Sequence, residues 1–289
     1  MSNQVMNKWY IIIASLIAAV IPVVGKTRLG ADGGLALPSV PAELHQPIDR
    51  ANYVIHHFWD AMDWNDTILG HNQAWLEQQL VNYLSVLPHA HIDSVAKSVD
   101  ALMTSAQSDQ ATYELLDELA TDYLFSSDSP MRNDEFYILF LQHKANSPIV
   151  SDGPKERAAW MLEELNKNRV GRLATDFKFT TSDGRTMRMS DIKTDKDILL
   201  MFYDPDCSTC HEVMRHLKTN PLDVTVVAIC AEGERDAWLA DARTMPSDWI
   251  VGYPDSDTAV DELYAFFQMP TILLLTPDHI VKQTNVSIF

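Results

Sequence analysis

The pattern of apolar and polar residues divides the chain into two parts of different character. Between about residues 47 and 170, apolar residues recur at three- and four-residue spacing, which is typical of helices that bury one face. Breakers such as Pro88 and Pro148 separate the periodic segments. Six helices are predicted in this all-α part, at 51–62, 73–86, 92–106, 112–124, 133–144 and 154–166.

From residue 171 to residue 289, short apolar runs alternate with helical spacing, which predicts an α/β domain with a mixed sheet flanked by helices. The turn signal Asp183-Gly184 lies between two alternating segments and predicts a hairpin. The strands are predicted at 176–181, 186–189, 198–203, 224–230, 250–253, 271–275 and 280–283. Helices are predicted after Cys207 and at 234–242 and 257–267.

The first 46 residues show neither pattern. Lys8, the apolar stretch 11–24 and the small residue Gly25 predict an export signal over residues 1–25, followed by a linker at 26–46. The protein is therefore expected in the periplasm or cell envelope, with an uncleaved amino-terminal membrane anchor as the alternative. A formal net charge of −18 argues against a nucleic-acid partner, because phosphates would be repelled.

The candidate chemistry lies directly after the apolar run 198–203. Asp204-Pro205-Asp206 interrupts the run, and helical spacing resumes beyond it, so Cys207 is expected to begin a helix. Free backbone N–H groups and the helix dipole would stabilise a thiolate there. Cys210 lies one turn later on the same side. Cys207 could thus attack a disulfide and Cys210 resolve the mixed disulfide. Cys230 ends a predicted central strand and is interpreted as a small buried hydrophobe.

This strand, loop and dithiol helix resemble the active site of the thioredoxin superfamily. Met269, Pro270 and Thr271 precede the apolar strand 271–275, where that family places a cis-proline loop that binds substrate. The segment 174–192 resembles the opening hairpin of TlpA/ResA-type thioredoxins, which implies a reductant. The resemblance implies client proteins with cysteines or disulfides and an upstream redox partner, which could be membrane-bound. No metal or organic cofactor is expected besides the redox-active Cys207–Cys210 disulfide.

The family has a buried acid six residues before its first cysteine, and here that position is Met201. Proton transfer must then use another group. His211 and Glu212, which directly follow the dithiol, are the candidates.

The helical part resembles the domain of unknown function DUF5106, which is fused to thioredoxin-like modules in exported proteins of Bacteroides and its relatives. The resemblance covers most of 47–172 and implies an architecture without an activity. Its residues lie at 57–60, 87–90, 129–135 and 168–171.

Two other interpretations of the dithiol remain open. Cys207-Ser-Thr-Cys-His211 also satisfies the attachment motif for c-type haem, with His211 as axial ligand. The chain could instead be a binding protein that keeps the fold without redox turnover. The exchange reaction is preferred because a core strand precedes the dithiol and Met269-Pro270 follows at the expected distance.

Overall fold

The computed structural model describes residues 27–288, and the predicted export signal lies outside this range. Contacts divide the chain into two compact units between Lys155 and Glu156. The domain boundary predicted at residue 170 therefore falls inside the second unit. Within residues 27–288, no helix is both long and apolar enough to cross a membrane.

The first unit is helical, and the last of its helices continues into the second unit. Several helices begin where an Asn or Asp side chain accepts a hydrogen bond from a backbone N–H, as Asn72, Asp109 and Asn133 do. The helices are α1 (Pro47–His57), α2 (Thr67–Gly70), α3 (Gln73–Leu84), α4 (Ile92–Ala106), α5 (Gln110–Leu124), α6 (Asp134–Asn146) and α7 (Asp152–Leu165).

Two details of the first unit differ from the prediction. The first helix spans Pro47–His57 rather than 51–62, because Pro47 can occupy a first helical turn and the chain turns after His57. The one-turn helix α2 was not predicted, since four residues are too few to show helical periodicity. The aromatic residues Phe58, Trp59 and Tyr83 are buried in the core.

The second unit contains one seven-stranded sheet in the order β2-β1-β5-β4-β3-β6-β7. The three central strands β5, β4 and β3 are parallel, and the others are antiparallel to their neighbours. Helices flank the sheet, so the predicted fold class is confirmed. The strands are β1 (Lys178–Thr181), β2 (Thr186–Arg188), β3 (Ile198–Tyr203), β4 (Thr225–Cys230), β5 (Ile250–Pro254), β6 (Thr271–Leu275) and β7 (Val281–Gln283), and the helices are α8 (Ser208–Thr219), α9 (Arg235–Ala242) and α10 (Val260–Leu263).

Strand β3 is buried on both faces along its whole length, which explains its uninterrupted apolar sequence. Ile198, Leu200 and Phe202 face one core cluster with aromatic residues such as Tyr264. The alternate residues of β3 face a second cluster that contains Cys210 and one side of α8. The strand therefore positions the start of α8 at the carboxyl end of β3, in the middle of the sheet.

The helix predicted at 257–267 is much shorter in the structure, where α10 spans only Val260–Leu263. Tyr264 has extended backbone angles and is buried beside Phe202, with 4.6 Å between the ring centroids. Packing of this aromatic side chain into the core therefore replaces continued helix. Near the carboxyl end, Val286 and Ile288 pack against the cluster that contains Cys210.

Candidate functional site

Cys207 caps the amino terminus of α8. Its sulfur accepts a hydrogen bond from the backbone N–H of Cys210 at 3.2 Å, so a helix N–H that would lack a partner is satisfied by the thiol. The backbone N–H of Cys207 donates to the carbonyl of Asp204 at 3.1 Å, which closes the turn between β3 and α8. The expectation that Cys207 begins the helix is met within one residue.

The two thiols of the pair differ in their access to solvent. Cys207 is half-buried, whereas Cys210 is 0% exposed, and both are free thiols. Burial raises the pKa of the Cys210 thiol well above its ordinary value, and its hydrogen bond with Cys207 acts in the same direction. A disulfide of another molecule can therefore approach only Cys207.

The segment before β6 lies against the same sulfur. The Cys207 thiol donates to the carbonyl oxygen of Met269 at 3.7 Å, and the peptide bond between Met269 and Pro270 is cis. Strand β6 is antiparallel to β3 and pairs Thr271 with Phe202, so the start of β6 meets the end of β3. Thr271 is buried and its hydroxyl donates to the carbonyl of Gln268 at 2.7 Å, which holds the loop. Of the three predicted substrate-binding residues, Met269 thus contacts the predicted nucleophile, and Pro270 and Thr271 follow it directly in the chain.

The third cysteine lies in the core, close to the dithiol. Cys230 is 1% exposed at the end of β4, and its thiol donates to the carbonyl of Glu232 at 2.9 Å. Burial, followed by the charges of Asp204 and Asp241, raises its pKa to about 12. These features agree with a structural thiol that stays protonated.

The two candidates for proton transfer are both exposed on α8. His211 approaches Asp241 of α9, with 3.8 Å between Nε2 and Oδ1. Asp241 is only 18% exposed, and its second carboxylate oxygen is buried without a hydrogen-bond partner. Sequence reasoning did not find Asp241, because it lies far along the chain from the dithiol and belongs to no motif.

The acidic residues before the dithiol shape the turn. The carboxylate of Asp204 accepts a hydrogen bond from the backbone N–H of Asp206 at 2.8 Å, which is a local turn contact.

In the described part of the chain, no group of three or more His, Cys, Asp or Glu side chains is placed to hold a metal ion.

Attachment of a haem does not fit this geometry. Thioethers at Cys207 and Cys210 would require both sulfurs to reach a planar macrocycle at the surface. Cys210 is instead enclosed in the core cluster beneath α8.

The sheet order, the dithiol at the start of α8 and the cis-proline loop beside it define the second unit as a thioredoxin-like domain. The chain belongs to the family DUF5106, a domain of unknown function, whose family model matches residues 20–168. No curated protein matches the chain.

The structure is similar to the crystal structure of a thioredoxin-like protein from Bacteroides caccae ATCC 43185. The two share 29% sequence identity with a TM-score of 0.76, over 87% of this chain and 94% of that chain. A conserved protein of unknown function from Bacteroides fragilis matches at 32% identity and a TM-score of 0.37, over 42% of this chain and 93% of its own. The thioredoxin domain of a thiol-disulfide oxidoreductase from Bacteroides vulgatus matches at 18% identity and a TM-score of 0.34, over 41% and 89%.

Proposed function

We propose that the protein is a thiol–disulfide oxidoreductase that acts on the cysteines of other proteins through Cys207 and Cys210. The observation that carries this proposal is the unequal access of the two thiols at the start of α8. An accessible sulfur that receives a helix N–H, followed by a shielded sulfur one turn later, suits a nucleophile and its resolving partner.

In the first step, the Cys207 thiolate attacks one sulfur of a client disulfide. A bond forms between Cys207 and the client, and the second client sulfur leaves as a thiolate that takes up a proton. The backbone N–H of Cys210 stabilises negative charge on Cys207 before the attack. Met269, Pro270 and Thr271 would border the bound client chain.

In the second step, Cys210 loses its proton and attacks the sulfur of Cys207. The bond between Cys207 and the client breaks, and the client sulfur that was attacked in the first step leaves as a thiolate and takes up a proton. The Cys207–Cys210 disulfide forms, so the pair has given two electrons to the client. Because burial disfavours the Cys210 thiolate, this step needs a nearby proton acceptor. We assign this role to His211 together with Asp241, whose contact supports the choice over Glu212.

We further propose that the protein works as a reductant outside the cytoplasm. The apolar amino-terminal stretch supports export, and the resemblance to TlpA/ResA-type domains supports the reducing direction. Each turnover oxidises the Cys207–Cys210 pair, so an upstream redox partner must return two electrons. Client proteins are then those whose cysteines have to remain free in an oxidising compartment.

The test measures the reduction potential of the Cys207–Cys210 pair in glutathione and dithiothreitol buffers, by alkylation and mass spectrometry. A value near about −270 mV would support a reductant, whereas about −120 mV would indicate an oxidant. Cys207→Ser should abolish exchange, and Cys210→Ser should accumulate a mixed disulfide with a client peptide. Cys230→Ala is the matched control and should keep full exchange.

Other results would overturn the proposal. If Cys207 and Cys210 do not form a disulfide in any buffer, the chain is a binding protein that retains the fold. A Soret band in the purified protein would indicate haem at Cys207 and Cys210.

A further inference from the structure

A large aromatic side chain of the second unit is exposed and contacts the segment that precedes the cis-proline loop. Trp160 of α7 is 53% exposed. Its ring meets that of Phe267 edge to face, with 6.1 Å between centroids and an interplanar angle of 84°. Such a pair is a favoured arrangement of aromatic rings, so the indole is held in place while one side stays open.

Phe267 lies close in sequence to the proposed active site. It precedes Met269 by two residues, and the Met269 carbonyl lies 3.7 Å from the Cys207 sulfur. Two residues span at most about 7 Å of chain. The neighbouring Phe266 packs its ring against Phe202 in the core, at 5.0 Å between centroids, which fixes the segment. The segment that Trp160 contacts therefore lies within a few residues of the carbonyl that meets Cys207.

We propose that Trp160 and Phe267 form an aromatic subsite that receives an apolar side chain of the client, three to five residues from its reacting cysteine. This inference rests on the proposed function. An extended client segment of that length covers roughly 10–18 Å, which exceeds the span of at most about 7 Å between Phe267 and Met269. Tryptophan is among the side chains enriched at the positions that contribute most to binding energy in protein interfaces.

The chemistry of the subsite selects one kind of occupant. Its two rings offer flat apolar surface, so leucine, methionine or phenylalanine of the client would be bound better than serine or aspartate. The subsite adds no group to the exchange reaction itself. It should therefore change which clients react quickly, and leave the reactivity of the dithiol towards small disulfides as it is.

The experiment compares two decapeptides whose single cysteine carries a thionitrobenzoate leaving group. One peptide has leucine and the other has serine, four residues from the cysteine. The full-length reduced protein should react faster with the leucine peptide. Trp160→Ala should reduce the ratio of the two rate constants about tenfold, as expected for loss of an important contact residue. The reaction with the free dithiobis-nitrobenzoate reagent should be unchanged.

Two further variants separate recognition from folding. Trp160→Phe keeps an aromatic ring and should preserve most of the preference. Leu222→Ala removes another exposed apolar side chain, which is 51% exposed. Leu222 follows the far end of α8, and that end is about 18 Å from the start of the helix, where the dithiol lies. This variant should keep the full preference. An unchanged ratio in Trp160→Ala, or a parallel loss with the small reagent, would overturn the inference.

A binding measurement decides the inference even if the dithiol does not react. Fluorescein-labelled versions of both peptides, with serine in place of cysteine, are titrated with the full-length protein and followed by anisotropy. The leucine peptide should bind more tightly to the wild type than to Trp160→Ala, and the serine peptide equally to both. Equal binding of the leucine peptide to the wild type and to Trp160→Ala would refute the subsite. If the wild type binds this peptide more tightly than the variant but performs no exchange, only the proposed reaction is refuted.

Discussion

Replacing the buried thiol of β4 should change how stability depends on alkaline pH. Burial, then the charges of Asp204 and Asp241, raise the pKa of Cys230 from 9.0 to about 12. At a pH between these values the unfolded chain has lost the proton and the folded chain has kept it. The contribution of this thiol to the free energy of unfolding is thus fully present below pH 9 and is lost as the pH rises towards 12.

The size of the effect follows from the shift. Each pH unit in this window removes about 1.4 kcal/mol of unfolding free energy, so at about pH 10.5 the wild type has lost about 2 kcal/mol through Cys230. Cys230→Ala cannot lose this contribution. At neutral pH, removing the buried sulfur and its hydrogen bond to Glu232 costs about 1 kcal/mol. The variant should therefore be the less stable protein at neutral pH and the more stable one at about pH 10.5.

The assay must report on the second unit alone. Urea unfolding under a phosphine reductant, read by pulsed hydrogen exchange of β3, meets this need because every residue of Ile198–Tyr203 is buried and unchanged in the variant. Cys210 titrates in both proteins, so its effect cancels in the comparison. If the two proteins lose stability in parallel from about pH 9 to pH 11, the structural assignment of Cys230 is refuted.

Two further substitutions test the sheet and the proton route. Gly252→Ala would place a Cβ 2.4 Å from the Phe179 ring. We therefore expect the free energy of unfolding of the second unit, measured in urea, to fall by about 1–3 kcal/mol. A fall below about 0.5 kcal/mol would contradict the packing of β5 on β1. Asp241→Asn removes the carboxylate beside His211, so it should slow the decay of the mixed disulfide and alter the pH profile of that decay. Glu212→Gln is the control and should decay at the wild-type rate. Equal decay rates in the two variants would exclude Asp241 from the proton transfer.

The parts of the fold that sequence reasoning predicted well are those in which a local pattern and the tertiary environment agree. Strand β3 is a central strand buried on both faces, so its six residues form an unbroken apolar run. Asp204-Pro205-Asp206 ends this run, and Cys207 then caps α8. Sequence alone therefore located the dithiol on the right elements.

The parts that it missed depend on contacts between distant segments. The helix predicted at 257–267 shortens to α10 because Tyr264 is drawn into the core, and periodicity cannot show that competition. Asp241 of α9 approaches His211 of α8 although the two residues are far apart in sequence, and Trp160 likewise meets Phe267 from a different segment of the chain. Neither contact has a sequence signal.

The contacts of Cys207 suggest how reactivity and client choice are divided within the proposed site. Its sulfur accepts a hydrogen bond from the backbone N–H of Cys210 and donates one to the backbone carbonyl of Met269, so these two contacts are set by chain geometry. In the proposed subsite, Trp160 would contact a client away from its reacting cysteine. Substitutions in that subsite can then alter which proteins react while the dithiol keeps its chemistry, because the backbone that holds Cys207 is fixed by pairing of β3 with β6.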